Sequence, residues 1–429
     1  MDKKRLYPIL LIIFTNILGA GVIIPILPLY AEGTFQGTVP QITLLASAFF
    51  GAQFIAAPWL GRLSDRYGRR PILILSQVGT VAAFVLFIYA GQLGALLDQL
   101  GLNLPLTGGM AMLFVARLLD GITGGNITIA QAYISDITPD DQRAQGLGLL
   151  QAAFGAGFVF GPAFGGILGN YGLVLPFIGA TVVTVITLLL TIFTLKESLP
   201  PEERSSGNRE ERARVKLPMR LIFSDKALVL ILAVGFVSSL AFAALPATFA
   251  LYANHVIFAE AANPGRIQLY IGLMLAFNGA TQVLTQIVFL RPLVARFGER
   301  NLLILGQASI AVSLFGLAIA GSPLIATLFL APFAFGFGVG EPNTQSLVTR
   351  FGSRRSRGFL LGLYQSARSL ALIAGPIWAG YIYEAINPRS VYAIGGATTL
   401  LAFVGAILLK NMPVKEIEVP EISQSSDAA

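Results

Sequence analysis

Cysteine is absent from this chain, which excludes disulfides, thiolate metal sites and cysteine nucleophiles. Histidine occurs once, at His255, at the end of an apolar run where a lone interfacial histidine reads as structural. No catalytic role, metal or cofactor is therefore expected. A G-x-x-x-x-G-K-[ST] loop is missing too, so direct use of ATP is not expected. Charge is scarce: Asp, Glu, Lys and Arg make up 12% of the residues, against about 25% in an ordinary soluble domain. Water is not the main solvent of this chain. An enzyme would lack its usual nucleophile or metal constellation, and a sensor would lack a soluble domain.

What is abundant is apolar surface. Of 429 residues 55% are hydrophobic, and at about 20 apolar residues per membrane helix this supplies roughly twelve spans. They are expected near 7–30, 40–61, 71–91, 109–134, 146–168, 172–195, 227–254, 267–290, 301–321, 323–348, 358–383 and 390–409. The expected fold is an all-α polytopic membrane protein. A net charge of +7 could suggest nucleic acid, but 25 of the 29 Lys and Arg fall on one side of this topology. Only Arg266 and Arg389 fall on the other. The positive-inside rule then puts both termini in the cytoplasm and makes the partner a lipid bilayer, not nucleic acid. The first apolar run continues to Tyr30 through Pro25 and Pro28, which suits a retained first span better than a cleaved signal.

Residues 196–220 hold seven basic and five acidic side chains with Pro200, Pro201 and Gly207. Such a segment neither enters lipid nor forms a core, and it reads as a cytoplasmic linker. It divides the chain into a first bundle of six spans at 1–195 and a second at 221–410, followed by an acidic, disordered tail at 411–429. Residues 92–107 form a long semi-apolar loop on the outer side, lying along the interface.

The two bundles are copies. RAQGLGLLQAAFGAGFVFGPAFGG at 143–166 and RGFLLGLYQSARSLALIAGPIWAG at 357–380 agree at nine of 24 positions, 214 residues apart. Gly124/Gly338 and Gln131/Gln345 keep the same offset in the preceding spans, and GRLSDRYGRRP at 61–71 aligns with RPLVARFGERN at 291–301. Two similar helical bundles enclosing a midplane site are the architecture of a secondary transporter.

Three motifs carry chemistry. Gly61, Asp65, Arg66, Gly68, Arg69 and Arg70 occupy the tight turn between spans 2 and 3, with Pro71 in the first turn of the next helix. There Asp65 can accept charge-assisted bonds from arginines or from a helix N-terminus. Span 4 holds Arg117-Leu118-Leu119-Asp120-Gly121-Ile122-Thr123-Gly124-Gly125. Span 5 spaces Gly148, Gly157, Gly161, Pro162, Gly165 and Gly166 so that helices can approach closely and the span can bend. Together these segments resemble the signatures of the major facilitator superfamily, and the span 5 pattern is similar to that of its proton-coupled drug antiporters. Spans 1 to 5 resemble the tetracycline/proton antiporters, including FTNILGAGVIIPILP at 14–28 and AYISDITPDDQRA at 132–144.

The resemblance implies the major facilitator fold, with twelve transmembrane helices in two pseudo-symmetric six-helix bundles. It also implies a conformational latch, Asp65 and nearby arginines pairing across the half interface in the outward-open state, and location in a bacterial inner membrane. The chain departs from the family at two places. Asn16 stands where those antiporters carry a membrane carboxylate and cannot take up a proton, and Ala295 replaces Asp65 in the second loop copy.

Ionisable groups within spans are costly and are functional suspects by default. Four fall there: Arg117, Asp120, Glu341 and Arg368. Arg117 and Asp120 are three apart on one helical face, close enough to pair. A desolvated carboxylic acid favours its neutral form and can carry a proton between faces; Asp120 with Arg117 is the first candidate for coupling and Glu341 the second. Arg368 is a candidate for binding an anionic group of cargo. Asn16, Asn126, Gln131, Gln151, Asn278, Gln282, Gln345, Tyr364 and Gln365, with Phe154 and Trp378, are the expected substrate-binding set. The functional expectation is a monomeric exporter of a drug-like or amphipathic compound in exchange for protons. The alternative is an exporter or uniporter of an endogenous organic anion or sugar-like metabolite.

Overall fold

A backbone that crosses lipid must satisfy its own hydrogen bonds, which leaves helices or closed barrels. The computed structural model describes residues 3–101, 105–139, 142–204, 219–259, 266–352 and 356–413, and these contain helices and no strand. The first half comprises α1 (Lys3–Phe35), α2 (Val39–Tyr67), α3 (Arg69–Ile88), α4 (Ala90–Gln99), α5 (Gly108–Thr123), α6 (Asn126–Ile137), α7 (Arg143–Gly169) and α8 (Leu175–Thr194). The second comprises α9 (Met219–Ser224), α10 (Lys226–Tyr252), α11 (Ile267–Leu284), α12 (Leu290–Ile319), α13 (Pro323–Thr349), α14 (Arg357–Ala385) and α15 (Pro388–Lys410).

Among the described residues nine helical stretches are long and apolar enough to cross a membrane. One of them, Ile267–Ile319, has 53 residues. At 1.5 Å per residue it would reach about 80 Å if straight, far beyond a hydrocarbon core of about 30 Å. It turns back at Gly298, where φ is 75°, and makes two spans. The remaining two crossings are α5 with α6, and α14, whose Arg357, Arg368 and Glu384 dilute its apolar character. Twelve crossings result, six in each half.

Span 4 is not the continuous helix expected over 109–134. It breaks at Gly124 and Gly125, the pair of residues least suited to a helix interior short of proline. The carbonyls freed by the break find side-chain donors: Ser76 bonds the Thr123 oxygen, and Gln53 Nε2 donates to the Gly124 oxygen at 2.8 Å. The expected loop at 92–107 is also more ordered than its composition suggests. Most of its first part is α4, which packs on α5 where Gly94 meets Gly108 and Gly109. Asp98 Oδ1 accepts the Gly108 N–H at 2.8 Å and so caps α5. Linker residues 205–218 and the tail from 414 lie outside the described residues.

Burial divides the molecule unequally. At the rim away from the basic loops a single apolar core joins the halves, with Val22, Phe84 and Phe177 of the first sharing it with Leu245, Ile271 and Phe333 of the second. Toward the basic face the core splits. Leu6, Ile13, Leu73, Tyr133 and Leu150 form a cluster of the first half alone. Leu228, Leu303, Leu347, Tyr364 and Leu409 form one of the second. The halves are therefore fused at one rim, and the space between them opens toward the basic face.

Most of the span 5 glycines pack α7 on α1 within the first half, and one reaches across to the second. A methyl group added to Gly157 would lie 2.7 Å from the Phe14 carbonyl oxygen, and one on Gly161 2.7 Å from the Gly21 Cα, both on α1. Gly165 faces Val22 of α1, while Gly166 turns to the other half, where a methyl would lie 2.7 Å from the Gln268 carbonyl oxygen and 2.9 Å from the Gly272 Cα. Gly148 is different, for nothing lies within 4 Å of its added methyl. Between α2 and α14 the second contact of the halves includes Ser47 Oγ donating to the Ile373 carbonyl oxygen at 2.7 Å.

Candidate functional site

Pro342 lies inside α13 directly after Glu341, and α14 runs beside α13. This arrangement gathers four of the residues singled out from the sequence. Tyr364 donates its hydroxyl to Glu341 Oε2 at 2.6 Å, Gln345 Nε2 donates to Oε1 at 2.9 Å, and Arg368 Nε stands 3.3 Å from Oε1. Tyr364 is buried, whereas the Arg368 side chain keeps 28% of its surface and Glu341 12%. A carboxylate with two hydrogen-bond donors and a guanidinium is well matched to remain in an apolar bundle.

The first half holds a looser pair. Arg117 Nη1 lies 3.4 Å from Asp120 Oδ2, with side chains 13% and 10% exposed. The Arg117 guanidinium sits 4.4 Å from the centre of the Phe49 ring on α2, so a cation–π contact supplements the carboxylate. Thr80 of α3 stands beside the Asp120 carboxyl. Each half thus contains one acid and one arginine inside the membrane region.

The 214-residue register exposes an asymmetry that the sequence reading did not draw. Glu341, Tyr364 and Arg368 occupy the positions that Ile127, Leu150 and Phe154 hold in the first half. Phe154 stacks on Phe158 with ring planes 8° apart and centres 6.4 Å apart. One wall is therefore charged and hydrogen-bonding, its counterpart apolar and aromatic.

Other expected residues are scattered. Asn278 is buried on α11 and lines a small space between the halves with Ile24, Phe158, Pro162, Phe242, Leu245, Pro246 and Leu275. Asn126 is buried at the start of α6, and Asn16 and Gln282 are half-buried on α1 and α11. Gln131, Gln151 and Gln365 are exposed, and no described contact joins them to either acid. Trp378 is half-buried on α14, close to Gly395.

At the basic face the loop motif bonds inward. Asp65 Oδ1 meets Arg69 Nη1 at 2.7 Å, Ser64 Oγ accepts from Arg69 Nη1 at 2.7 Å, and Arg69 Nε reaches Asp136 Oδ2 at the end of α6 at 3.1 Å. Gly68 adopts φ 105°, a backbone that L side chains rarely take. The N-terminus of α3 is capped by Glu197, whose oxygens accept the Arg69 and Arg70 N–H groups at 2.8 and 3.1 Å. Arg70 Nη2 donates to the Ile192 carbonyl oxygen at 2.6 Å, and Arg66 leans over the Tyr67 ring. Every one of these partners belongs to the first half or to the start of the linker. Sequence reasoning assigned both of Asp65's possible partners to Asp65 itself; the structure gives it the arginine and gives the helix terminus to Glu197. Asp136 lies within the 132–144 segment, but nothing in its spacing names its partner.

Known proteins resemble this chain in sequence and in fold. The profile of the Major Facilitator Superfamily matches residues 9–265 and again 261–426. The class C tetracycline resistance protein of Escherichia coli is 32% identical over 390 residues, 90% of this chain and 91% of that protein. Multidrug resistance protein 2 of Bacillus subtilis is 27% identical over 393 residues, 89% of this chain and 90% of that protein. Among solved structures the nucleoside transporter NupG superposes with a TM-score of 0.75 at 12% identity, over 96% of this chain and 100% of that one, a likeness of fold.

Proposed function

Because the chain belongs to the major facilitator superfamily, whose members move small molecules across membranes, we propose that this multi-pass membrane protein exports a drug-like or amphipathic organic compound in exchange for protons. The observation that carries the reading is the distribution of the core: closed at one rim, divided at the other, with a paired acid and arginine inside the spans of each half. Such a molecule can receive cargo from the basic face, which the positive-inside rule assigns to the cytoplasm together with both termini. Tilting the halves would part the α7–α11 contacts at the fused rim and close the basic face, with the Asp65–Arg69–Asp136 network moving as part of the first half. Drug export is further supported by the tetracycline and multidrug resistance relatives.

Asp120 is the coupling group in this reading and Glu341 the second. The Arg117 contact is long and of a single oxygen, so a small helix movement suffices to remove the arginine and leave the carboxyl to a proton. The polar cluster at Glu341 and Arg368, with the aromatic Phe154 at the repeat-equivalent position of the other half, suits cargo with one polar end and one apolar end. A second reading, an exporter or uniporter of an endogenous organic anion or sugar-like metabolite, is favoured by Asn16 in place of an acid and by the partly open Arg368.

Two measurements test the proposal. A pump-deficient bacterium producing this chain should gain resistance to a set of amphipathic compounds, and the Asp120→Asn variant should lose it. Purified protein should release protons when such a compound is added. No proton release on binding would transfer the assignment to the uniporter, and full proton-driven efflux by Asp120→Asn would remove Asp120 from coupling.

A further inference from the structure

At the rim opposite the basic face, the chain's single histidine ties three helices together. His255 lies in the π-helical turn Ala253–Ile257 that continues α10. Its Nε2 is 2.9 Å from Glu32 Oε1 on α1, and its Nδ1 is 2.8 Å from the Tyr383 hydroxyl on α14. Since α1 belongs to the first half and α10 and α14 to the second, this contact crosses the interface that must part when that rim opens. The ring is 34% exposed and the Glu32 side chain 27%. Protons from that face can reach the pair, yet it is sheltered enough for charge to matter.

The two nitrogens do not serve equally in both protonation states. With a neutral ring bearing its hydrogen on Nε2, Glu32 accepts one hydrogen bond and Tyr383 donates another to Nδ1. With a protonated ring both nitrogens donate, the tyrosine accepts, and the Glu32 contact becomes an ion pair. Of the neighbours, Tyr252 on α10 gives its hydroxyl to the Leu317 oxygen at 2.6 Å, and Tyr30 on α1 gives its own to Phe87. Tyr392 is engaged with Thr248, Glu384 follows Tyr383 on α14, and Arg389 begins α15 on the Tyr252 side. The nearby part of α13, residues 323 to 340, has no titratable group. Glu32 is thus the charged group in direct contact with the ring.

We propose that His255 is a proton-binding site separate from the coupling acids, and that a proton taken from the opposite face fastens His255 to Glu32 and holds that rim shut. Opening separates the pair, so a proton on the ring favours the closed rim over the open one. Resting on the proton-exchange reading above, this gives the external proton a second use: after cargo leaves, acid on the far side helps the molecule close and return.

Natural absence of cysteine makes the test clean. Spin labels placed through Thr34→Cys and Ile386→Cys, on exposed positions of α1 and of the turn after α14, report the width of the rim by pulsed dipolar spectroscopy. The background carries Asp120→Asn and Glu341→Gln, so that neither coupling acid titrates. Between about pH 5.5 and about pH 8 the open-rim population should rise about threefold. His255→Gln and, separately, Glu32→Gln should abolish the pH dependence, the second guarding against a fold defect in the first. A pH response that survives in His255→Gln, or none at all with His255 present, would overturn the proposal. Proton-driven efflux is a different readout: if Asp120→Asn with Glu341→Gln exports as the parent does, the coupling assignment fails while the rim distances still decide the histidine.

Discussion

Glu299 pairs with Arg350 at 2.9 Å, and this contact is the Arg69–Asp136 pair of the other half with its signs exchanged. The loop alignment sets Glu299 where Arg69 stands, and the 214 register sets Arg350 where Asp136 stands. Ser346 donates to the same Glu299 oxygen at 2.9 Å. Loss of the aspartate at Ala295 therefore did not leave the second loop without an ionic anchor.

If what counts is the attraction and not which residue bears which sign, exchanging the pair should be tolerated. Glu299→Gln should lower transport by about twofold to fivefold, the scale of a partly exposed ion pair worth up to about 1 kcal/mol. Glu299→Arg alone should be worse, and Glu299→Arg with Arg350→Glu should recover near-parental transport. Uptake of a fluorescent substrate of the pump into inverted vesicles measures all three. A double variant no better than Glu299→Arg would show that the signs matter.

Arg368 supplies the counter-charge to a Glu341 carboxylate that Tyr364 and Gln345 also hold, and removing the charges one and two at a time separates a structural from a transport role. Arg368→Ala removes the counter-charge and leaves the Glu341 carboxylate to Tyr364 and Gln345 alone, which should cost up to about 3 kcal/mol, seen as poor yield and early thermal aggregation. Arg368→Ala with Glu341→Ala removes both charges and should recover the yield while export stays lost. Recovery of export together with yield would make the pair scaffolding.

The span 5 glycines differ in what they face, and so should their substitutions. Gly166→Ala drives a methyl into the backbone of α11, forces the halves apart at the fused rim, and should slow export by about tenfold or more, the effect of roughly 1.4 kcal/mol or more on the barrier. Gly148→Ala enters open space in this conformation and should leave thermal stability unchanged. A fall in transport with stability intact would mean that Gly148 is needed only when the basic face closes.

Much of this architecture is readable without coordinates because lipid imposes long apolar periods and one-sided basic loops. The Arg117–Asp120 pair was legible for a local reason, since residues three apart share a helix face. Glu341 and Arg368 were each noticed, but they lie on different helices and no spacing rule joins residues 27 apart across a turn. Tyr364 likewise needed the fold to bring it to that carboxylate, whereas Gln345, four residues after Glu341 on α13, shares its helix face. The break in span 4 left a trace, the Gly124–Gly125 pair, that an unbroken apolar reading passed over. Glu197 left none, because an acid in a mixed-charge linker looks solvated until α3 is seen to begin beneath it. Gln131, Gln151 and Gln365 are exposed, and polarity within a span does not by itself tell which partner an exposed side chain meets.

The account stands or falls on the halves parting at the rim where they now meet. Gly169 and Gln268 lie there on α7 and α11, and a methyl on Gly169 would be 3.2 Å from the Gln268 Cβ, near the Cβ separation of about 3.5–4.5 Å that a disulfide requires. In a Gly169→Cys, Gln268→Cys variant of this cysteine-free chain, oxidation should stop proton-driven export and reduction should restore it, with cargo binding from the basic face retained throughout. Export continuing at full rate with the cross-link formed would contradict alternating access by these two bundles.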